Sequence, residues 1–132
     1  MTPQEIFDTV AKHLITQGQQ SQRDDGTCLY RGPGGLKCAV GVLIPDDVYT
    51  PEMELDELGE TGNGVRGLLD RYANVLPDYF SENVRLLSNL QNVHDSSFSI
   101  GSFARRLADV ARDYDLEPRV VLPFTVEESE ED

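Results

Sequence analysis

The sequence predicts a mostly α-helical fold with one small β-hairpin, arranged as a compact bundle of about four principal helices. Three residues in helix-capping positions, Thr2, Ser81 and Ser99, each precede a segment in which apolar residues recur every three to four positions. A fourth segment with this spacing lies between the first two. The chain of 132 residues is long enough for one hydrophobic core. We therefore expect one α-rich domain over residues 1–124, followed by a disordered acidic tail over residues 125–132.

The first helix is the clearest element. Thr2 supplies an N-cap, Pro3 occupies the first helical position, and Glu5 completes a capping box. Apolar side chains then follow at helical spacing as far as Gly18; they are Ile6, Phe7, Val10, Ala11, Leu14 and Ile15. This pattern predicts an amphipathic helix with one face in the core.

Residues 28–36 are the best candidate for the hairpin, because a strand-like run, Cys-Leu-Tyr-Arg, is closed by the turn sequence Gly-Pro-Gly-Gly. The apolar residues 36–44 that follow fit either a strand or a buried helix. We favour a helix, since Pro45 would end it and the small Ala39 and Gly41 would let another helix approach closely.

The remaining helices follow from the same signals. A Thr-Pro pair at positions 50 and 51 begins a short helical turn that directs Met53 inward. The next long helix should end at Pro77, and the Ser81 and Ser99 caps should begin the third and fourth. The residues expected to face the core are Val65, Leu68, Leu69, Tyr72, Leu76, Val84, Leu87, Leu90, either Val93 or His94, Phe103, Leu107, Val110, Ala111 and Tyr114.

The net charge of −13, from 24 acidic and 11 basic residues, is unevenly distributed. Residues 37–65 carry seven carboxylates against one lysine, and the last eight residues carry five carboxylates without a base. The rest of the chain is nearly neutral. Because these acidic segments would repel phosphates, we do not expect direct binding to nucleic acid. An acidic segment of this kind fits either a solvated loop that aids solubility or a surface that docks on a basic protein.

The sequence carries no recognisable metal or cofactor motif. It lacks the CxxC and HxxxH spacings of zinc sites, the EF-hand pattern and the Lys-Ser/Thr of a P-loop, and its two histidines lie far apart. Cys28 and Cys38 flank the Gly-Pro-Gly-Gly turn and could come close enough to pair, although we interpret them as reduced, semi-buried residues. We predict neither a metal nor a cofactor.

No apolar run approaches the ~18 residues needed to span a bilayer. The N-terminus also lacks the basic and apolar regions of a secretory signal. We therefore expect a cytoplasmic protein without a membrane partner.

A catalytic alternative rests on three residue types. Cys38 could act as a nucleophile with His94 as base and Asp95 or Asp70 as the group that orients the histidine. However, Cys38 lies in an apolar segment, where burial would raise the pKa of its thiol and oppose thiolate formation. Packing is the better interpretation of Cys38, and we predict that the protein is not an enzyme.

Residues 30–54 follow the pattern YRGPxGLKCAVGxLIPDxxYxPxME. This block resembles the centre of a family of small proteins encoded by bacteriophages and bacterial genomes, and residues 4–8 and 90–95 are similar to its flanks. The resemblance implies a bacterial host cell and a phage-encoded accessory or inhibitor protein of the anti-defence or host-takeover type. It implies no reaction and assigns no residue a catalytic role.

We accordingly predict a protein-binding module that places carboxylates where phosphates would sit on a basic, nucleic-acid-handling host protein. The residues predicted to form this acidic face are Asp46, Asp47, Glu52, Glu54, Asp56, Glu57 and Glu60. Two alternatives stay open, namely the small cysteine-dependent enzyme and a structural protein that self-assembles through an exposed apolar stripe. Salt separates the first hypothesis from the last, because binding through carboxylates weakens with ionic strength.

Overall fold

The structure is a computed structural model that describes residues 1–22, 29–54, 65–97 and 99–123. Over these ranges the fold is mostly helical and compact, which confirms the predicted class. The α-helices are α1 (Pro3–Gln17), α2 (Val65–Tyr72), α3 (Asp78–Glu82), α4 (Val84–Ser96) and α5 (Ile100–Asp113). Short 3₁₀ helices cover Pro33–Gly35, Gly41–Leu43 and Pro51–Glu54.

Two of the three predicted caps are confirmed. The Thr2 hydroxyl accepts from the Glu5 amide at 3.1 Å, while the Glu5 carboxylate accepts from the Thr2 amide at 2.8 Å. Ser99 accepts from the Ser102 amide at 3.1 Å and so begins α5. The Ser81 cap was wrong: Ser81 lies inside α3, and its hydroxyl donates to the carbonyl of Asp78.

The predicted third helix is divided into α3 and α4 by Asn83. The backbone of Asn83 has φ −133° and ψ 35°, which is outside the helical region. The second predicted helix is likewise shorter than expected, because α2 ends at Tyr72 and turns carry the chain to Pro77. Leu76 is nevertheless buried, as its apolar spacing indicated.

The helices enclose one cluster of buried apolar side chains. Phe7, Leu68, Leu87 and Leu107, from four different helices, are all inaccessible to solvent and belong to this cluster. α1, α4 and α5 pack against one another, while α2 and α3 pack on α4. Burial of these apolar faces is the main source of stability.

The end of α5 is a Schellman motif in which the left-handed position is occupied by an aspartate. Asp115 has φ 56°, and the amide of Leu116 donates to the carbonyl of Ala111 at 2.7 Å. The next residue, Glu117, exchanges two backbone hydrogen bonds with the side-chain amide of Gln4. The chain that leaves α5 is thereby fastened to the start of α1.

The hairpin segment forms a tight turn rather than two strands. Arg31 and Lys37 make an isolated antiparallel bridge, and Gly34 and Gly35 adopt the positive φ values that the turn requires. The helix favoured for residues 36–44 was also wrong in extent, since this segment contains turns and the three-residue 3₁₀ helix at Gly41–Leu43.

Gly41 is needed for a different contact from the one predicted. A Cβ atom on Gly41 would lie 1.9 Å from the carbonyl oxygen of Tyr30, so the absence of a side chain admits a neighbouring loop and not another helix. The Cys38 amide donates to the same carbonyl at 3.2 Å. The two arms of the turn therefore touch through their backbones.

Several sequence predictions concern residues outside the described ranges. They include Cys28 and its possible pairing, Asp56, Glu57 and Glu60 of the acidic face, and the acidic tail over residues 125–132. Within the described ranges, every helix is too short or too polar to traverse a lipid bilayer.

Candidate acidic docking surface

The structure describes four of the seven residues predicted for the acidic face. Asp46, Asp47 and Glu52 are exposed, and we refer to these three as the exposed carboxylates. Glu54 is partly buried and has a different environment. Asp56, Glu57 and Glu60 lie outside the described residues.

Asp46 follows Pro45 at the end of the apolar block, and its side chain is 85% exposed. Its Oδ1 atom lies 2.8 Å from a guanidinium nitrogen of Arg31 and 3.9 Å from the ammonium of Lys37. Surface pairs of this kind contribute at most about 1 kcal/mol. The carboxylate is thus oriented by the turn but stays accessible to a partner.

Glu54 organises the loops that carry the exposed carboxylates. Its Oε1 accepts from the Tyr30 amide at 2.9 Å, and its Oε2 accepts from the Arg31 amide at 3.0 Å and from the Tyr49 hydroxyl at 2.6 Å. One carboxylate therefore joins residues 30–31 and residue 49 to the 3₁₀ helix that carries Glu54. Hydrogen bonds to a charged acceptor are stronger than those between neutral groups, so this junction is a firm one.

Arg31 completes the junction from its other side. Its guanidinium donates to the carbonyl of Ile44 at 2.9 Å and lies 4.5 Å from the ring centre of Tyr49. Burial, together with the hydrogen bond to Glu54, raises the pKa of the Tyr49 hydroxyl above its ordinary value. Tyr49 therefore keeps its proton and remains a donor to Glu54 at neutral pH.

Side chains from the helices fasten this region to the bundle. Gln17 accepts from the Lys37 amide at 2.9 Å, and both Gln17 and His13 donate to the Lys37 carbonyl. Gln91 accepts from the Val40 amide at 3.1 Å. The hydroxyl of Tyr79 donates to the carbonyl of Leu43 at 2.8 Å. Residues 36–44 thus receive side-chain hydrogen bonds from three helices in addition to backbone hydrogen bonds such as the one from the Cys38 amide to the Tyr30 carbonyl.

The residues of the catalytic alternative are only partly brought together. His94 is completely buried, and its Nδ1 lies 2.8 Å from Oδ1 of Asp95, which is the contact expected of an orienting carboxylate. Its Nε2 accepts from the backbone amide of Ser21 at 2.9 Å. Nδ1 therefore carries the ring proton, and the nitrogen that a general base would need is already hydrogen-bonded to the backbone.

Cys38 has the environment of a packing residue. It is a free, buried thiol whose Sγ accepts from the Gly41 amide at 3.2 Å. Burial raises its pKa well above the ordinary value, which opposes formation of a thiolate. Within the described ranges, no hydrogen bond joins Cys38 to His94, and Asp70, an exposed residue of α2, makes no hydrogen bond or ion pair to either.

Ser21 is a buried residue whose contact with His94 the sequence did not indicate. Its amide donates to His94, and its own buried hydroxyl has no hydrogen-bond partner among the described residues. Residues 18–26 are polar and of low complexity, which favours a surface loop, and nothing in this pattern indicates burial of Ser21. Gln20 adds two hydrogen bonds from the same loop to the carbonyls of His94 and Ser97.

Within the described ranges, no group of three or more histidine, cysteine or carboxylate side chains is placed to hold a metal ion. No protein-family model, curated protein or solved structure matches the chain. The proposed function therefore rests on the contacts and charges of the described residues.

Proposed function

We propose that the protein is a protein-binding module without catalytic activity, which docks its acidic face on a basic surface of a host protein that handles nucleic acid. The observation that carries the proposal is the junction at Glu54. It holds the loops of the exposed carboxylates to one framework, so their positions are set before a partner arrives. Preorganisation of this kind lowers the entropic cost of association.

The chemistry of the exposed carboxylates suits a partner rich in arginine and lysine. Carboxylates displayed on an ordered loop present fixed negative charge in a manner that resembles a phosphate backbone, and the partner's cations would meet them with complementary charge. In contrast, Glu54 already accepts three hydrogen bonds within the chain, so we assign it a positioning role.

Two observations favour binding over catalysis. Both ring nitrogens of His94 have hydrogen-bond partners, and Cys38 is buried with a raised thiol pKa. We therefore interpret His94 and Cys38 as structural residues of the core. The proposal of a phage-encoded accessory or inhibitor protein in a bacterial host rests on the sequence resemblance described above, and it directs the search for a partner to bacterial lysates.

The experiment has two stages. Capture from a bacterial lysate at low and high salt first supplies a candidate partner, which is then purified. The Kd for this partner is measured with the D46N/D47N/E52Q variant and with a control, D70N/D78N/E117Q, that neutralises three exposed carboxylates elsewhere. Both variants change the net charge equally, so a difference between them reports position and not total charge.

We expect the D46N/D47N/E52Q variant to weaken binding roughly tenfold, because each exposed pair contributes ~0.2–1 kcal/mol and three pairs near the middle of this range amount to about 1.5 kcal/mol. The control should change the Kd by less than about threefold through long-range electrostatics. Equal effects of the two variants, or affinity that does not fall with salt, would overturn the proposal. Salt-independent self-association in the same measurements would favour the self-assembling alternative.

A further inference from the structure

A second surface feature lies among the helices and takes no part in the acidic face. A cleft of about 460 Å³ opens where the start of α1, the start of α2, the junction of α3 with α4 and the end of α5 meet. Its lining includes Pro3, Arg66, Glu82, Val84, Arg85 and Tyr114. The volume falls in the range of small-molecule sites.

Two arginines from different helices line this cleft. Arg66 belongs to α2 and Arg85 to α4, and both side chains are exposed. Among the described residues, neither guanidinium has an ion-pair or hydrogen-bond partner, whereas Arg31 and Arg112 each pair with an aspartate. Unpaired arginines that share a concave surface are suited to bind an oxyanion, because the planar guanidinium donates two parallel hydrogen bonds to phosphate or carboxylate.

The other lining groups add a donor and an apolar wall. The hydroxyl of Tyr114 accepts from the Asn89 side chain at 2.6 Å, which leaves its proton free to donate into the cleft. Pro3, Val84 and Leu86 supply apolar contact. Among the described lining residues, Glu82 is the one carboxylate and opposes an anion, so Arg66 and Arg85 leave these residues with a net positive charge.

We propose that this cleft binds a small organic oxyanion, whose phosphate or carboxylate group lies between Arg66 and Arg85 and whose apolar part packs on Val84 and Tyr114. The inference is independent of the acidic face, since the two sites share none of the residues that the structure describes and require ligands of opposite charge. It adds a small-molecule site to a protein whose overall charge is −13. Affinity must therefore arise from the local arrangement of the arginines and not from long-range attraction.

The test is a titration of the full chain with inorganic phosphate and with phenyl phosphate at constant ionic strength. Two-dimensional amide NMR spectra recorded at each step monitor the binding. We expect saturable shifts confined to amides near residues 66 and 82–86. Phenyl phosphate should bind more tightly than phosphate, because it adds apolar contact to the same charge interaction. Benzoate, titrated in the same way, distinguishes a carboxylate ligand from a phosphate ligand.

Three variants make the test specific. R66Q/R85Q should lower the affinity for phenyl phosphate roughly tenfold or more, as expected for loss of charge-assisted hydrogen bonds. R106Q, which removes an exposed arginine of α5 outside the cleft, should change it less than about twofold. E82Q should strengthen binding, because it removes the opposing charge.

The three results together would support the site. The proposal would be overturned by shifts no larger than those produced by chloride at the same ionic strength, or by phenyl phosphate binding that survives R66Q/R85Q. A loss of binding free energy in R106Q that reaches half of the loss in R66Q/R85Q would also overturn it, since R106Q removes half as much charge and this result would show a response to net charge alone. Thermal unfolding of each variant checks the fold, and substitution of exposed residues should leave it intact.

Discussion

Residues 29–54 and residues 65–123 reach stability by different routes. The later region consists of helices whose backbone groups bond within each helix and whose apolar faces fill the core. The earlier region has short 3₁₀ helices and turns, and its backbone groups depend on individual side chains such as Glu54, Gln17 and Gln91. Substitutions in the helical region should therefore change stability mainly through side-chain volume. In residues 29–54 they should change stability through the loss of one hydrogen-bond donor, one acceptor or one close contact.

The largest effect should come from Gly41→Ala. The new Cβ would lie 1.9 Å from the Tyr30 carbonyl oxygen, so the two arms of the turn must separate. We expect a loss of at least about 3 kcal/mol in the free energy of unfolding, measured by urea denaturation.

Gly34→Ala is the matched control for this substitution. It lies in the same turn at φ 68°, but an added Cβ has no neighbour within 4 Å. It should cost only about 1 kcal/mol of backbone strain. If the two variants were equally stable, the contact between residues 30 and 41 would not be the constraint inferred here.

Glu54→Gln should have the next largest effect. In either orientation the side-chain amide must turn its NH₂ toward the backbone amide of Tyr30 or of Arg31, so that two donors face each other. We expect a loss of about 2 kcal/mol in urea denaturation.

Glu52→Gln provides the comparison, since Glu52 is exposed on the same 3₁₀ helix. It should change stability by less than about 0.5 kcal/mol. A similar loss in both variants would show that charge on this helix, and not the Glu54 junction, stabilises the loops.

Asp115→Gly tests the helical region and should raise its stability. Because Asp115 holds the left-handed position after α5, glycine should remove backbone strain and raise stability by about 0.5–1 kcal/mol. Asp115→Asn separates this effect from the loss of charge, since asparagine tolerates the same backbone conformation. A rise in melting temperature that is equal in the two variants would assign the gain to charge.

The smallest expected effect is on the pH dependence of stability, and it involves the hydrogen bond from His13 to the carbonyl of Lys37. Burial lowers the pKa of His13 below its ordinary value, so the unfolded chain takes up a proton at a higher pH than the folded chain. Stability should therefore fall as pH decreases from neutrality through the ordinary histidine pKa of about 6.5 toward the lower folded value. Melting temperatures at pH 7 and at about pH 5.5 should differ less for His13→Gln than for the natural chain. An unchanged difference would exclude His13 as the source.

The helical class, the α1 and α5 caps and most core residues could be predicted from the amino-acid sequence. Capping and periodicity are local, because a hydroxyl three residues from an amide or an apolar stripe every turn is defined within one helix. Ser81 shows the limit of this reasoning: its cap signal was overridden when Pro77 began a helix earlier and Asn83 interrupted it. For the candidate site, the sequence identified exposed Asp46, Asp47 and Glu52 through charge alone.

In contrast, tertiary contacts set the conformation of residues 29–54 and the roles of their polar residues. Glu54 looks like its neighbour Glu52 in sequence, yet it lies beside the amides of Tyr30 and Arg31, over twenty positions away. Ser21 and His94 meet across a still longer separation, and Arg66 and Arg85 line one cleft because α2 packs on α4. Such contacts depend on how the helices bury their apolar faces together, which no local pattern encodes.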